Sequence, residues 1–144
     1  MPNTFKRPES VLVLVYTAAG EVLMLRRRQP DDFWQSVTGS LEWDETPEQA
    51  ARRELFEETG VTADAGLIDC HTTHHFPILP AWRARYAPDV TENVEHVFRI
   101  AFAARPAIRL DLAEHLEYRW LDRAAAADLA TSHTNRDAIR AYVS

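Results

Sequence analysis

Gly39-Ser40-Leu41-Glu42-Trp43-Asp44-Glu45-Thr46-Pro47-Glu48-Gln49-Ala50-Ala51-Arg52-Arg53-Glu54-Leu55-Phe56-Glu57-Glu58-Thr59-Gly60-Val61 is the stretch from which the rest of the chain can be read. It predicts a loop, a helix and a loop. Thr46 is the expected N-cap, Gln49 completes a capping box, and Pro47 suits the first helical position, where its missing N–H costs nothing. Gly60 is the expected C-terminal stop. Within the helix, Glu54, Glu57 and Glu58 stand at i, i+3 and i+4, which places three carboxylates within about 100° of one face.

That arrangement opposes ordinary helix electrostatics. The three glutamates occupy the last turns, where the dipole disfavours each by roughly 0.3–1 kcal/mol. Two carboxylates about 6 Å apart add roughly 3 kcal/mol of repulsion at an effective dielectric of 20. Taken alone, three glutamates on a helix are most often a solvated face. Here a cation is expected, and carboxylate oxygens suit hard Mg²⁺, with Mn²⁺ able to substitute, better than zinc. Ala50 and Ala51, one turn earlier, are expected to leave room for the ligand.

The spacing of Gly39, five residues, Glu45, seven residues, then Arg53-Glu54-Leu55-Phe56-Glu57-Glu58-Thr59-Gly60-Val61 resembles the Nudix box at every fixed position. The resemblance implies the Nudix hydrolase family, whose fold is α/β, a mixed sheet sandwiched between helices. It further implies that Glu54 and Glu58, helped by Glu57, hold the metal, and that Arg53 pairs with a carboxylate, expected to be Glu45. A guanidinium can hold a carboxylate through two parallel hydrogen bonds. Leu55 and Val61 are expected in the core.

Working outward, Val11-Leu12-Val13-Leu14-Val15-Tyr16 reads as a strand covered on both faces. A turn at Ala18–Glu21 leads to a strand at Val22–Leu25, followed by Arg26-Arg27-Arg28. Phe33–Thr38 reads as one short strand ended by Gly39. Further strands are expected at Leu67–Cys70, Val97–Ala103 and Tyr118–Leu121, with a basic aromatic loop at Ala81–Pro88. Helices are expected at Ala124–Ala130 and Arg136–Val143. The 144 residues predict one domain, residues 1–144.

Six excess carboxylates, 22 acidic against 16 basic side chains, argue against a nucleic-acid surface. No apolar run spans a bilayer, and Met1–Arg7 lacks a leader's apolar stretch. The cytoplasm is therefore expected, without membrane or obligatory protein partner. Cys70, the only cysteine, is expected to be a buried thiol. The six histidines, including His115, show no zinc-ligand spacing and are expected on the surface or in loops.

Outside the box, Phe33–Ser40, Arg85-Tyr86-Ala87-Pro88, Glu114-His115-Leu116 and Trp120-Leu121-Asp122 resemble the branch of the family that cleaves dihydroneopterin triphosphate in folate synthesis. For that small-molecule triphosphate the resemblance implies substrate contacts at Lys6, Arg27, Thr38, Phe76, Pro77, Ile78, Leu79 and Ser132, with Glu114 as a further metal ligand. Lys6 and Arg27 suit oxyanions, and Phe76 suits a flat ring. Glu114 is the candidate base, with Glu57 and Glu95 as alternatives. Read singly, Glu95 and Glu114 each suit an exposed surface. The box reads only metal and diphosphate, so cleavage of dATP or an oxidised dNTP is the competing activity. A noncatalytic ligand-binding module, expected to have lost box carboxylates, is a further alternative.

Overall fold

A computed structural model describes residues 4–63 and 66–144. Met1–Asn3, part of the stretch read above for a leader, lie outside the described residues. The strands are β1 (Glu9–Thr17), β2 (Glu21–Arg27), β3 (Trp34–Gln35), β4 (Val37–Ser40), β5 (Ile68–Pro77), β6 (Glu92–Phe102) and β7 (His115–Asp122). The helices are α1 (Pro47–Thr59), α2 (Arg123–Leu129) and α3 (His133–Tyr142), with a 3₁₀ turn at Pro80–Arg85. The strands form one mixed sheet in the order β3-β2-β1-β6-β5, with β4 on β1 and β7 on β2. Among the described residues only β1 and β6 run parallel.

The unbroken apolar run of β1 is explained by two cores. Val11, Val13 and Val15 pack with Ala50, Ala51 and Leu55 of α1. Leu12 and Leu14 pack with Ala126, Ala127, Ala138 and Ile139 of α2 and α3. The sheet therefore lies between helices, as expected. Ala50 and Ala51 are fully buried in the first core. They bring α1 close to the sheet and leave no space for a ligand, contrary to the expectation above.

The stretch Phe33–Thr38 is not one strand. Trp34–Gln35 pairs with β2, and Val37–Ser40 pairs with β1. The chain changes partner at Ser36, where Asn135 Oδ1 accepts the free N–H at 2.8 Å. Asn135 also donates to Ser36 Oγ at 3.0 Å. Gly39 lies inside β4 and does not end it.

Polar alternation hid the full length of two strands. β6 begins five residues before Val97, because the inward positions at its start are Asn93 and Glu95. β5 runs to Pro77 past an irregularity between Asp69 and Thr73, where His71 takes φ 52°. Cys70, at that irregularity on an edge strand, is only half-buried, which corrects the buried-thiol expectation. α3 starts three residues earlier than expected, with Ser132 at the N-cap position. Among the described residues no helix is long and apolar enough to cross a membrane.

Candidate active site

The box helix carries the caps its sequence predicts. Thr46 Oγ1 accepts the Gln49 N–H at 3.2 Å, and Gln49 Oε1 accepts the Thr46 N–H at 2.9 Å. Gly60, at φ 75°, donates its N–H to the Phe56 carbonyl. The preceding loop is pinned by Arg7, a residue without a role in the reading of the sequence. Its Nη1 donates to the carbonyls of Glu42, Trp43 and Glu45 at 2.9, 3.2 and 2.8 Å.

Arg53 ties loop, strand and helix together. It grips Glu45 in a fork, Nε to Oε2 at 2.6 Å and Nη2 to Oε1 at 2.8 Å. Nη2 also reaches the Ser40 carbonyl at 3.0 Å, and Nη1 reaches Glu54 Oε1 at 2.8 Å. The Arg53 hydrogen bonds hold the Glu45 carboxyl below its ordinary value. Donating to Glu45 in turn raises the Arg53 guanidinium. Lysine cannot reproduce this fork. Arg53→Lys is expected to lower kcat at least about tenfold while Tm falls by only a few degrees, as read from steady-state rates and thermal melts.

Beside this brace lie the two carboxyls the sequence placed one turn apart. Glu54 sits directly over Gly39, in space that a Cβ on residue 39 would fill. Glu58 is 5% exposed and takes a hydrogen bond from the Thr38 backbone N–H. Burial, then the adjacent Glu54, push the Glu58 carboxyl well above its ordinary value. Burial likewise raises Glu54. Glu58 Oε2 is buried without a hydrogen-bond partner. A hard divalent cation fits this donor set: a buried carboxylate with an orphaned oxygen, Glu58, and a half-buried one, Glu54, in a cradle that only glycine leaves open. Among the described residues no three acidic, histidine or cysteine side chains converge as a complete cage. Glu57 turns to Arg53 at 3.2 Å and is half exposed. Glu114 is exposed, in the turn before β7. A cation on Glu54 and Glu58 thus needs further ligands, and water and phosphate oxygens are those that Mg²⁺ prefers.

His115 is not on the surface. It is 3% exposed, with Nε2 3.5 Å from Glu58 Oε1 and 3.3 Å from Gln35 Nε2. Burial, with Arg27 nearby, depresses it to about 4, so it is neutral at physiological pH.

On the other side of β4 lies a cavity of about 550 Å³. Strand alternation explains the placement: Gly39 pairs with Val11 and faces α1, whereas Thr38 and Ser40 pair with Leu12 and Ser10 and face α3. The Glu58 contact with the Thr38 N–H joins the two sides at the strand. Lys6, Arg27, Thr38, Phe76, Pro77, Ile78, Leu79 and Ser132 all line this one cavity. Phe33, Gln35, Trp82, Tyr86, Asn93, Glu95 and Asn135 line it too. Of these, Trp82 and Tyr86 belong to the basic aromatic loop read from the sequence, and Glu95, the alternative base, is buried, not surface-exposed.

One end of the cavity is cationic. The Arg27 guanidinium lies over Phe33 and Trp82, 5.8 and 5.5 Å from their ring centroids. Lys6 Nζ lies 5.9 Å from the Tyr86 ring centroid. Burial, then Arg85 and Arg27, lower the Lys6 ammonium. Three cations so close in an acidic chain suit a polyanion. A second bay, lined by Arg27, Arg85, Trp82 and Glu114, adjoins them.

Comparisons with known proteins bear on the family and the fold. A model of the NUDIX domain matches residues 6–142. The chain is 48% identical to dihydroneopterin triphosphate diphosphatase of Escherichia coli (strain K12), over 98% of this chain and 95% of that protein. It is 40% identical to the protein of the same name from Haemophilus influenzae, over 96% and 89% of the two lengths. The solved structure of the E. coli dihydroneopterin triphosphate pyrophosphohydrolase superposes with a TM-score of 0.90, covering 98% of each chain.

Proposed function

The chain belongs to the NUDIX family of hydrolases, and on that premise we propose that it removes pyrophosphate from dihydroneopterin triphosphate, leaving the monophosphate. The observation that carries this reading is the single cavity. It joins a cationic end, Lys6 and Arg27, to an aromatic and apolar wall, Phe76 to Leu79, across β4 from the carboxyls of Glu54 and Glu58. Near full-length identity of 48% to an enzyme named for that substrate supports it.

In the proposed reaction Glu54 and Glu58 hold a divalent metal, Mg²⁺ or Mn²⁺, which supplies Lewis acidity and lowers the pKa of water when bound. Arg53 and Glu45 keep the Glu54 carboxylate from swinging away. Lys6 and Arg27 bind the triphosphate and balance its charge, with Thr38 at the strand that separates cavity from carboxylates. Glu114 stands beside Arg27 in the adjoining bay, and its carboxylate takes the proton from the attacking water. Glu57 is the poorer base, because Arg53 Nη1 occupies Oε2. Products formed in ¹⁸O-labelled water test the scheme: intact pyrophosphate is expected, with one labelled oxygen marking the phosphorus attacked. Orthophosphate released stepwise would refute it.

A further inference from the structure

The cavity continues past Thr38 to a floor that phosphate chemistry leaves unused. Asn93 and Glu95 stand two apart on β6 and face inward, 5% and 6% exposed, in line with the fully buried Val97. Asn93 Nδ2 donates to Ser10 Oγ at 2.8 Å, and its Oδ1 is buried without a partner. Glu95 Oε1 meets His74 Nδ1 at 3.1 Å. Its other oxygen makes no hydrogen bond among the described residues. Acceptor oxygens left unpaired on an inward strand face cost stability unless a ligand uses them.

Their position says which part of a ligand. Ser10 pairs with Ser40 of β4 on one side and with Glu95 on the other. Glu95 is therefore two strand spacings, roughly 10 Å, from β4, and on the face of the sheet opposite Glu54. That is too far for the reacting phosphorus, and it suits the distant end of an extended triphosphate. Phe76 pairs with Asn93 across the β5–β6 ladder and gives a wall for a flat ring. The free groups on the floor, an amide oxygen and a carboxylate oxygen, are both acceptors. They match a ring edge that presents adjacent N–H donors.

We propose that Asn93 and Glu95 determine ring specificity by accepting hydrogen bonds from the 2-amino and ring N–H groups of a 2-amino-4-oxo heterocycle. The inference rests on the pterin substrate proposed above and names the side chains that select it. A ring with oxygen in place of the 2-amino group keeps its ring N–H but leaves one buried acceptor unpaired against another oxygen, which is how a polar pocket rejects a near-isostere. Glu95 is then a ring anchor and not the base.

The test uses neopterin, which carries no phosphate, and its 2-oxo counterpart, with binding followed by fluorescence. Wild-type protein is expected to bind neopterin at least tenfold more tightly than the 2-oxo compound. Glu95→Gln, which keeps shape and the contact with His74, and Asn93→Ala are each expected to weaken neopterin at least tenfold and to erase the preference, with pyrophosphate inhibition unchanged. The inference is overturned if the variants keep the preference, or lose both ligands together with a fall in Tm. An equal drop in kcat on every triphosphate overturns it as well, since that marks a base. Wild-type protein that turns over dihydroneopterin triphosphate without preferring neopterin sinks this inference alone; failure to turn it over removes the substrate reading.

Discussion

Glu58→Gln is expected to lower kcat on the order of 10³-fold while the protein stays folded. The variant keeps the shape of the buried side chain and its hydrogen bond from the Thr38 N–H, but it removes the charge that a divalent cation needs. The pH dependence of stability distinguishes this from misfolding. Burial raises the folded-state value of Glu58 above that of an unfolded glutamate, so the native state binds the proton more tightly. In a chelating buffer, wild-type stability should therefore fall as pH rises above about 4.5, the unfolded value. Glu58→Gln should lack that component and be at least as stable as wild type at pH 7. Added Mg²⁺ should raise the wild-type Tm and leave the variant unmoved. A variant with wild-type turnover would remove Glu58 from the metal site.

Gly39→Ala should be nearly as damaging, for a reason the box motif does not itself explain. Gly39 is not a turn glycine: it lies within β4, paired with Val11. Its missing Cβ is the space that the Glu54 carboxyl fills. Because the obstructed group is the far end of a flexible side chain, an added methyl displaces Glu54 and leaves the strand in place. A loss of about 10²-fold in kcat, weaker Mg²⁺ stabilisation and a Tm within a few degrees of wild type are expected. Unimpaired catalysis with a large loss of Tm would show that the glycine serves the sheet instead.

How far these features could be read from sequence depends on whether their cause was local. The caps at Thr46, Gln49 and Gly60 and the two-faced run of β1 rest on neighbours in sequence and on periodicity, and the structure has them where expected. The fork between Arg53 and Glu45 spans only eight residues at fixed offsets. What the sequence hid depends on distant partners. Nothing near Ser36 announces that Asn135 will take its N–H and split the strand. Nothing near Arg7 marks it as the clamp on the loop from Glu42 to Glu45. Ala50 and Ala51 lie one turn from the carboxylates, yet their small side chains serve close packing against the sheet. The start of β6 was hidden because its inward residues are polar, and a strand that lines a polar cavity breaks the apolar pattern by which strands are found.

The most direct test of the central claim is kcat/KM of the purified protein, with Mg²⁺, on dihydroneopterin triphosphate and on each dNTP, dATP and an oxidised dNTP included. A value for dihydroneopterin triphosphate at least about tenfold above every dNTP, lost in Glu58→Gln, is predicted. A dNTP preferred by a large factor would contradict the account and make nucleotide cleavage the activity of this site.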